Sequence, residues 1–146
     1  MDREHDPKMT PWQIKELDFP AQGEPEKKLK FLLHYAILAP SSHNTQPWRF
    51  SICGDEIHVS ADKTRWLKIA DADQRELHIS IGCALENLLI AAEHFGYAHQ
   101  VEYFRQNRDS LVAVVRLAAR GKMERLREPA LFAEISKRHT NRKIYQ

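Results

Sequence analysis

The sequence predicts an α+β fold, with an antiparallel-rich sheet packed around a long, central, buried helix. Three observations carry this. Strand-like segments come in adjacent pairs, with no single strands alternating with helices, which favours hairpins over a doubly wound parallel sheet. The stretch 73–95 is apolar around most of a helical circumference, as a helix buried on several sides must be. No GxGxxG or GxxxxGK[ST] is present, so the common dinucleotide and phosphate-loop folds lose their signature.

The 146 residues suit one domain, at about 100–200 residues per domain. Residues 1–10 read as a flexible polar tail, and 11–146 as the single domain. Thr10-Pro11 carries a helix-start signal, Thr at the N-cap and Pro at the first helical position. Trp12, Leu17 and Phe19 are too few for a full apolar face, so this piece is expected to pack on a neighbour. Pro25 opens a helix whose stripe Leu29, Leu32, Leu33, Ala36 and Ile37 follows helical spacing, and Pro40 stops it. Residues 48–53 and 56–61 alternate apolar and polar as two strands, and Gly54-Asp55 suits a tight hairpin turn. One polar face on each leaves both open to an edge position.

Asp73-Gln74-Arg75-Glu76 has the form of a capping box with Asp as the cap. The helix it opens runs to about Phe95, with Gly96 placed to end it. Leu77, Ile81, Ala84, Leu85, Leu88, Leu89, Ala92 and Phe95 form its stripe, and Ile79, Cys83, Ile90 and Ala91 widen it. Such a perimeter exceeds what one small sheet covers, which predicts a homodimer. A second hairpin follows, 99–104 and 111–118, turning at Asn107-Arg108-Asp109. The run Leu111–Val115 is apolar enough for cover on both faces. A basic linker, 120–127, leads to a short helix from Pro129 to about Arg138 carrying Leu131, Phe132 and Ile135.

Several functions are excluded by composition. With 22 basic and 20 acidic residues, the net charge of +2 is too balanced to predict a nucleic-acid or anionic-membrane surface. The most apolar stretch, 79–92, is broken by Ser80, Glu86 and Asn87 and falls short of the roughly 20 residues of a membrane span. Met1–Lys8 lacks the apolar core of a secretion signal, and Cys53 and Cys83 form no CxxC, which predicts a cytoplasmic protein with reduced cysteines. No metal site is expected: His94 and His99, five apart, would fall on different faces of a helix. Cys83 reads as an inert core thiol and Arg75 as a surface residue beside the cap.

The chemistry concentrates in Ala39-Pro40-Ser41-Ser42-His43-Asn44-Thr45-Gln46-Pro47-Trp48. This polar loop offers hydroxyls, two amides and an imidazole between two prolines. Amides both donate and accept, so they can read the edge of a planar heterocycle. The same residues would also serve as a helix-stop loop that caps its own backbone. At the other end, Arg138-His139-Thr140-Asn141-Arg142 places guanidiniums and a hydroxyl just after a helix, a set that suits a phosphate or, equally, a solvated basic tail.

PSSHNTQPWRF resembles the flavin-binding loop of the nitroreductase family, whose pattern is close to P-S-x-x-N-x-Q-P-W. The resemblance implies FMN contacts at Pro40, Ser41, Ser42, Asn44 and Gln46, and a structural role for Trp48. Arg138, His139, Thr140 and Arg142 resemble the Arg-Arg-Ser-x-Arg stretch with which the family holds the FMN phosphate and ribityl chain. In ordinary nitroreductases the basic motif precedes the loop, whereas here it follows. That order, with the stretch 66–96, resembles a branch in which two half-units are fused on one chain. The resemblance covers about residues 11–146 and implies a nitroreductase-like half-unit, incomplete at its C-terminal end.

The implied activity is FMN-dependent transfer of hydride from NAD(P)H to a small electron-poor acceptor, a nitroaromatic or quinone, with no protein acid or base assigned. The other reading is a non-catalytic flavin-binding or interaction module, inert alone. From about Asn141 onward the tail is expected to be mobile, with a partner needed for tight FMN binding.

Overall fold

The computed structural model describes residues 10–104, 110–119 and 127–140. Helix α1 (Pro25–Ala36) leads through a loop to strands β1 (Trp48–Cys53) and β2 (Glu56–Ala61). Helix α2 (Arg75–His94), strands β3 (Tyr97–Tyr103) and β4 (Leu111–Ala119) and helix α3 (Ala130–Lys137) follow. Single 3-10 turns lie at Thr10–Gln13, Glu16–Asp18, Ser42–Asn44 and Lys63–Arg65. The four strands form one antiparallel sheet in the order β1-β2-β4-β3. Helices α1 and α2 pack on one face of it, and α3 lies against α2.

The first hairpin forms as its alternation predicts. Cys53 pairs with Glu56, and Gly54 takes φ +64° at the first turn position, which a side chain would strain. The edge expectation fails for one strand of the two. β4 inserts beside β2, pairing Ile57 with Val115 and Val59 with Ala113, so β2 is interior and β1 remains at the edge. The polar side of β2 is instead the outer sheet face, where Glu56 binds His58 and Arg116. β4 does not have full cover on both faces. Ala113, Val115 and Leu117 enter the core, whereas on the opposite face Val114 is buried and Arg116 is exposed.

On α1, Leu29, Leu32 and Ala36 are buried as predicted, but Leu33 and Ile37 are only half-buried. Phe31 and Tyr35 take their place. They join Phe19, Phe95 and Phe132 in an aromatic cluster with ring centroids 4.4–5.9 Å apart. Burial, then Glu16 and Asp18, pushes the Tyr35 phenol up to about 12. The N-terminal segment is two 3-10 turns, and it does pack on the core through Trp12 and Phe19, leaving Leu17 exposed. In α3, Phe132 and Ile135 are buried and Leu131 is exposed. Helix α2 buries the predicted stripe from Leu77 to Ala92, but Phe95 caps its end half-buried, Cys83 and Ile90 are half-buried and Ile79 is 51% exposed. His99 lies on β3, beyond the end of α2, and binds Glu93. The predicted turn at 107–109 and most of the basic linker fall outside the described residues.

The cap of α2 is not Asp73. Gln74 occupies the N-cap position in a left-handed conformation, with no side-chain bond to the helix. Asp71, 4% exposed, reaches in from outside the helix and accepts from the amides of Glu76 and Leu77, both at 2.9 Å. The Trp66 indole N–H donates to its carbonyl at 2.6 Å, fixing the residue in place. A buried carboxylate holding two helix N–H groups also meets the positive end of the helix dipole. Asp71→Ala should therefore cost about 1–3 kcal/mol of stability. Asp73→Ala, which removes one exposed 3.3 Å bond to the Arg75 amide, should cost under about 0.5 kcal/mol. Urea melts of the two variants check the order.

Candidate functional site

The loop between α1 and β1 is held by its own hydroxyls and by two neighbours. The Ser41 hydroxyl accepts from the Gln46 amide at 2.9 Å. The Ser42 carbonyl accepts from the Thr45 amide and hydroxyl, and the Ser41 carbonyl from the Asn44 amide. From α2, Ser80 donates its hydroxyl to the Glu76 carbonyl and accepts from the Ser42 amide at 3.1 Å. From the other side, Arg65 Nη1 donates to the carbonyls of Thr45 and Gln46 at 3.3 and 3.4 Å. Arg65 is itself drawn to Asp62, which also pairs with Arg49 at 3.1 Å. The Thr64 hydroxyl, and then Arg49, hold the Asp62 carboxyl below its ordinary range against the opposing push of burial.

Three non-glycine residues in this loop have positive φ: His43 at 49°, Asn44 at 56° and Gln46 at 49°. Asn and His are enriched in this region, whereas Gln adopts it at a cost of order 1–3 kcal/mol. Positive φ concentrated in four residues marks a shape that the surroundings impose. Its result is that the amides of Asn44, Thr45 and Gln46 are satisfied inside the loop, while the side chains of His43 and Asn44 are exposed. The Gln46 amide nitrogen lies 3.4 Å from Asn44 Oδ1, so the two carboxamides sit side by side.

That loop forms one wall of a cleft of about 390 Å³. Pro40, Ser41, His43, Asn44 and Gln46 line it, and so do Arg138, His139 and Thr140 from the far end of the described chain. Pro11, Trp12, Ile37, Leu38 and Ala39 add the apolar part. Among the described residues, none that lines it is a carboxylate. Its size falls within the roughly 300–1,000 Å³ of small-molecule sites. Arg138 Nη2 donates to the Leu38 carbonyl at 3.1 Å, directly joining the two motifs. Arg138 Nη1 lies 3.5 Å from the Thr140 hydroxyl.

Of the residues singled out from sequence, seven meet here: Pro40, Ser41, Asn44, Gln46, Arg138, His139 and Thr140. Ser42 does not line the cleft. It faces a smaller pocket with Thr45 and Ser80, because its amide is tied to α2. Arg142 lies outside the described residues. Arg75 is exposed at the start of α2. Sequence reasoning missed Trp12, Arg65 and Ser80. The Asp-x-Thr-Arg run after β2 was a usable signal for Arg65, since Asp62 caps the Lys63–Arg65 turn through the Thr64 amide.

Segment 127–140 is anchored to α2 upstream of the cleft. Arg127 binds Glu86 through Nε and Nη2, and Glu93 through Nη1 at 2.7 Å and its backbone amide at 3.0 Å. His99 Nε2 lies 2.9 Å from both Glu93 Oε1 and Arg127 Nη1, so its tautomer decides which one it bonds. Burial pushes the Glu93 carboxyl up, but bonds from His99 and Arg127 outweigh it and leave the group below its ordinary range. Among the described residues, no group of three or more His, Cys, Asp or Glu is placed to hold a metal. No helix among them is long and apolar enough to cross a membrane.

Comparison with known proteins finds relatives of this chain. Residues 12–92, more than half of the chain, match the family model described as "Putative TM nitroreductase". The chain is 31% identical over 117 residues to a Mycobacterium tuberculosis protein named "Putative NAD(P)H nitroreductase", covering 80% of this chain and 34% of that one. It is 33% identical over 129 residues to the "Probable NAD(P)H nitroreductase PigM" of Serratia sp., covering 83% and 35%. The chain thus spans about a third of the length of these curated relatives. A solved nitroreductase family protein from Streptococcus pneumoniae superposes with a TM-score of 0.56 at 15% identity, covering 83% of this chain and 93% of that chain. The chain belongs to the nitroreductase family.

Proposed function

We propose that this chain contributes to an FMN-dependent oxidoreductase of nitroreductase type, and that the cleft between residues 40–46 and 138–140 holds the cofactor. The observation that carries this reading is the convergence of both motifs on one cleft, joined by Arg138 and the Leu38 carbonyl, with no carboxylate among the described residues that line it. The donor set fits the group. The Asn44 and Gln46 carboxamides offer donors and acceptors to a flavin ring edge. Arg138 and Thr140 offer charged and neutral donors to a phosphate, with His139 beside them and Pro40 and Ser41 shaping the floor. Ser42 supports from behind, and Arg142 is proposed to join the phosphate end.

The chemistry supplied by bound FMN is transfer of reducing equivalents from NAD(P)H to a small electron-poor acceptor such as a nitroaromatic or quinone. This chain's own part is to bind, orient and desolvate. No residue of the cleft is assigned as acid or base. The free cysteines, Cys53 and Cys83, support a reducing, cytoplasmic setting.

Absorption spectroscopy tests the reading. A yellow preparation that bleaches with NAD(P)H is the expected result, and one that stays yellow would reassign the chain to flavin binding without turnover. Asn44→Ala should weaken FMN by about 1–3 kcal/mol, the cost of stranding a polar partner, with the melting temperature nearly unchanged. FMN affinity untouched by Asn44→Ala would reduce the loop to a structural connection.

A homodimer is proposed through α2. Ile79 is half-exposed, and Cys83 and Ile90 are incompletely covered on the same helix. Light scattering at micromolar concentration should give about twice the 17.0 kDa chain mass, and a stable monomer would count against the interface.

A further inference from the structure

We propose that Trp12 is a positioning residue of the cleft, presetting Arg138 to receive the phosphate end of an anionic ligand. The proposal rests on the flavin reading for the ligand's identity, but not for the geometry. Trp12 sits on the Thr10–Gln13 turn, at the opposite end of the described chain from Arg138, and both line the same cleft. The Arg138 guanidinium carbon lies 5.6 Å from the centroid of the Trp12 ring. On another side Nη2 donates to the Leu38 carbonyl, and Nη1 lies near the Thr140 hydroxyl. Arg138 Nε is buried with no hydrogen-bond partner among the described residues.

A buried, unpaired N–H of a cation is costly unless something compensates it. The electron-rich indole face is the compensating group the geometry supplies, since cations are attracted to it within about 6 Å. Three partners fix the plane of the guanidinium before any ligand arrives. Guanidinium has five N–H donors, and the bonds to Leu38 and Thr140 use two of them. Among the described residues the remaining Nη donors have no partner and no carboxylate lines the cleft, which leaves them to the oxygens of an anion. A preset side chain loses less freedom on binding, so the benefit goes to ligands that carry the anion.

The consequence is discrimination between FMN and riboflavin, which differ by the phosphate. NMR titration of the chain with each flavin measures it, because NMR reads affinities into the millimolar range. Trp12→Leu keeps apolar volume and removes the ring face, while Trp12→Phe keeps a ring face. Trp12→Leu should weaken FMN about tenfold and leave riboflavin within about twofold, and Trp12→Phe should restore most of the loss. Trp12→Leu added to Arg138→Ala should cost nothing further, because the two act as one unit.

Equal losses for both flavins, or FMN affinity indifferent to Trp12→Leu, would overturn the proposal. A second readout stands apart from flavin binding. Ring current from Trp12 should shift the Arg138 Nε–H resonance upfield, and Trp12→Leu should abolish that shift. If the chain binds neither flavin, the flavin reading fails. A Trp12-dependent shift would then still support the positioning role, and its absence would overturn it.

Discussion

Arg127→Ala should destabilise the fold by about 3–5 kcal/mol, the usual cost of removing one partner from a buried pair. The side chain of Glu93 is 7% exposed and that of Arg127 19%. Removing Arg127 leaves Glu93 with His99 as its remaining side-chain partner among the bonds described. It also frees Glu86 and cuts the tie between α2 and the segment leading to α3. Flavin affinity should fall as a secondary effect, because α3 carries Arg138 to the cleft.

The loss should depend on pH, with a sign set by Glu93. Its folded pKa is lowered, so its stabilising contribution is present above the ordinary glutamate value of about 4.3 and is lost as pH falls through the folded value. In Arg127→Ala the bonds from His99 and from the residue-127 backbone amide remain, but the guanidinium's bond and charge are gone while burial stays. The stability gap between wild type and variant should therefore be widest near neutrality and narrow in acid. A gap unchanged from neutral pH into the acid range would show that Arg127 acts through packing alone.

Trp48→Ala should cost a similar amount, about 3–5 kcal/mol, typical of a buried aromatic. Trp48 is 8% exposed and belongs to the main core, and it opens β1 opposite Ala61. It also follows the fully buried Pro47, whose carbonyl accepts from the Asp62 amide at 2.9 Å. Trp48 is thus the fixed post from which the strained loop hangs. Its loss should lower the melting temperature sharply, whereas Asn44→Ala, at an exposed position, should leave it nearly unchanged. Equal melting losses in the two variants would deny the division between an anchoring Trp48 and a ligand-facing Asn44.

What could be read beforehand follows the range of the interactions involved. The hairpin 48–61 was legible because alternation and a Gly turn are local. The stripe of α2 was legible because burial on several sides leaves apolar residues all round. The insertion of β4 beside β2 was not, since pairing between distant strands leaves no local mark. The cap was misplaced by two residues because Asp71 and Asp73 are chemically alike. Only the left-handed Gln74 bends the chain so that the earlier one reaches the helix amides. Phe31 and Tyr35 lay off the expected α1 stripe. They are buried because the turn at Glu16–Asp18 delivers Phe19 to that side, a contact no helical period encodes.

The candidate site divides the same way. Its two motifs were visible as residue patterns, each with a plain structural alternative. Their meeting in one cleft depends on the path of α3 and on the bond from Arg138 to Leu38. Trp12 gave no signal at all, because a single tryptophan in a short turn reads as packing until its neighbour is known.

Residues 40–46 and 138–140 are proposed to act as one cofactor site. Backbone amide NMR on FMN titration tests it most directly. Shifts are expected at Ser41, Asn44 and Gln46 and at Arg138, His139 and Thr140, following one saturation curve with one dissociation constant. Shifts confined to one of the two segments, two different constants, or changes centred on the separate groove formed by Leu29, Ile52 and Tyr97 would contradict it.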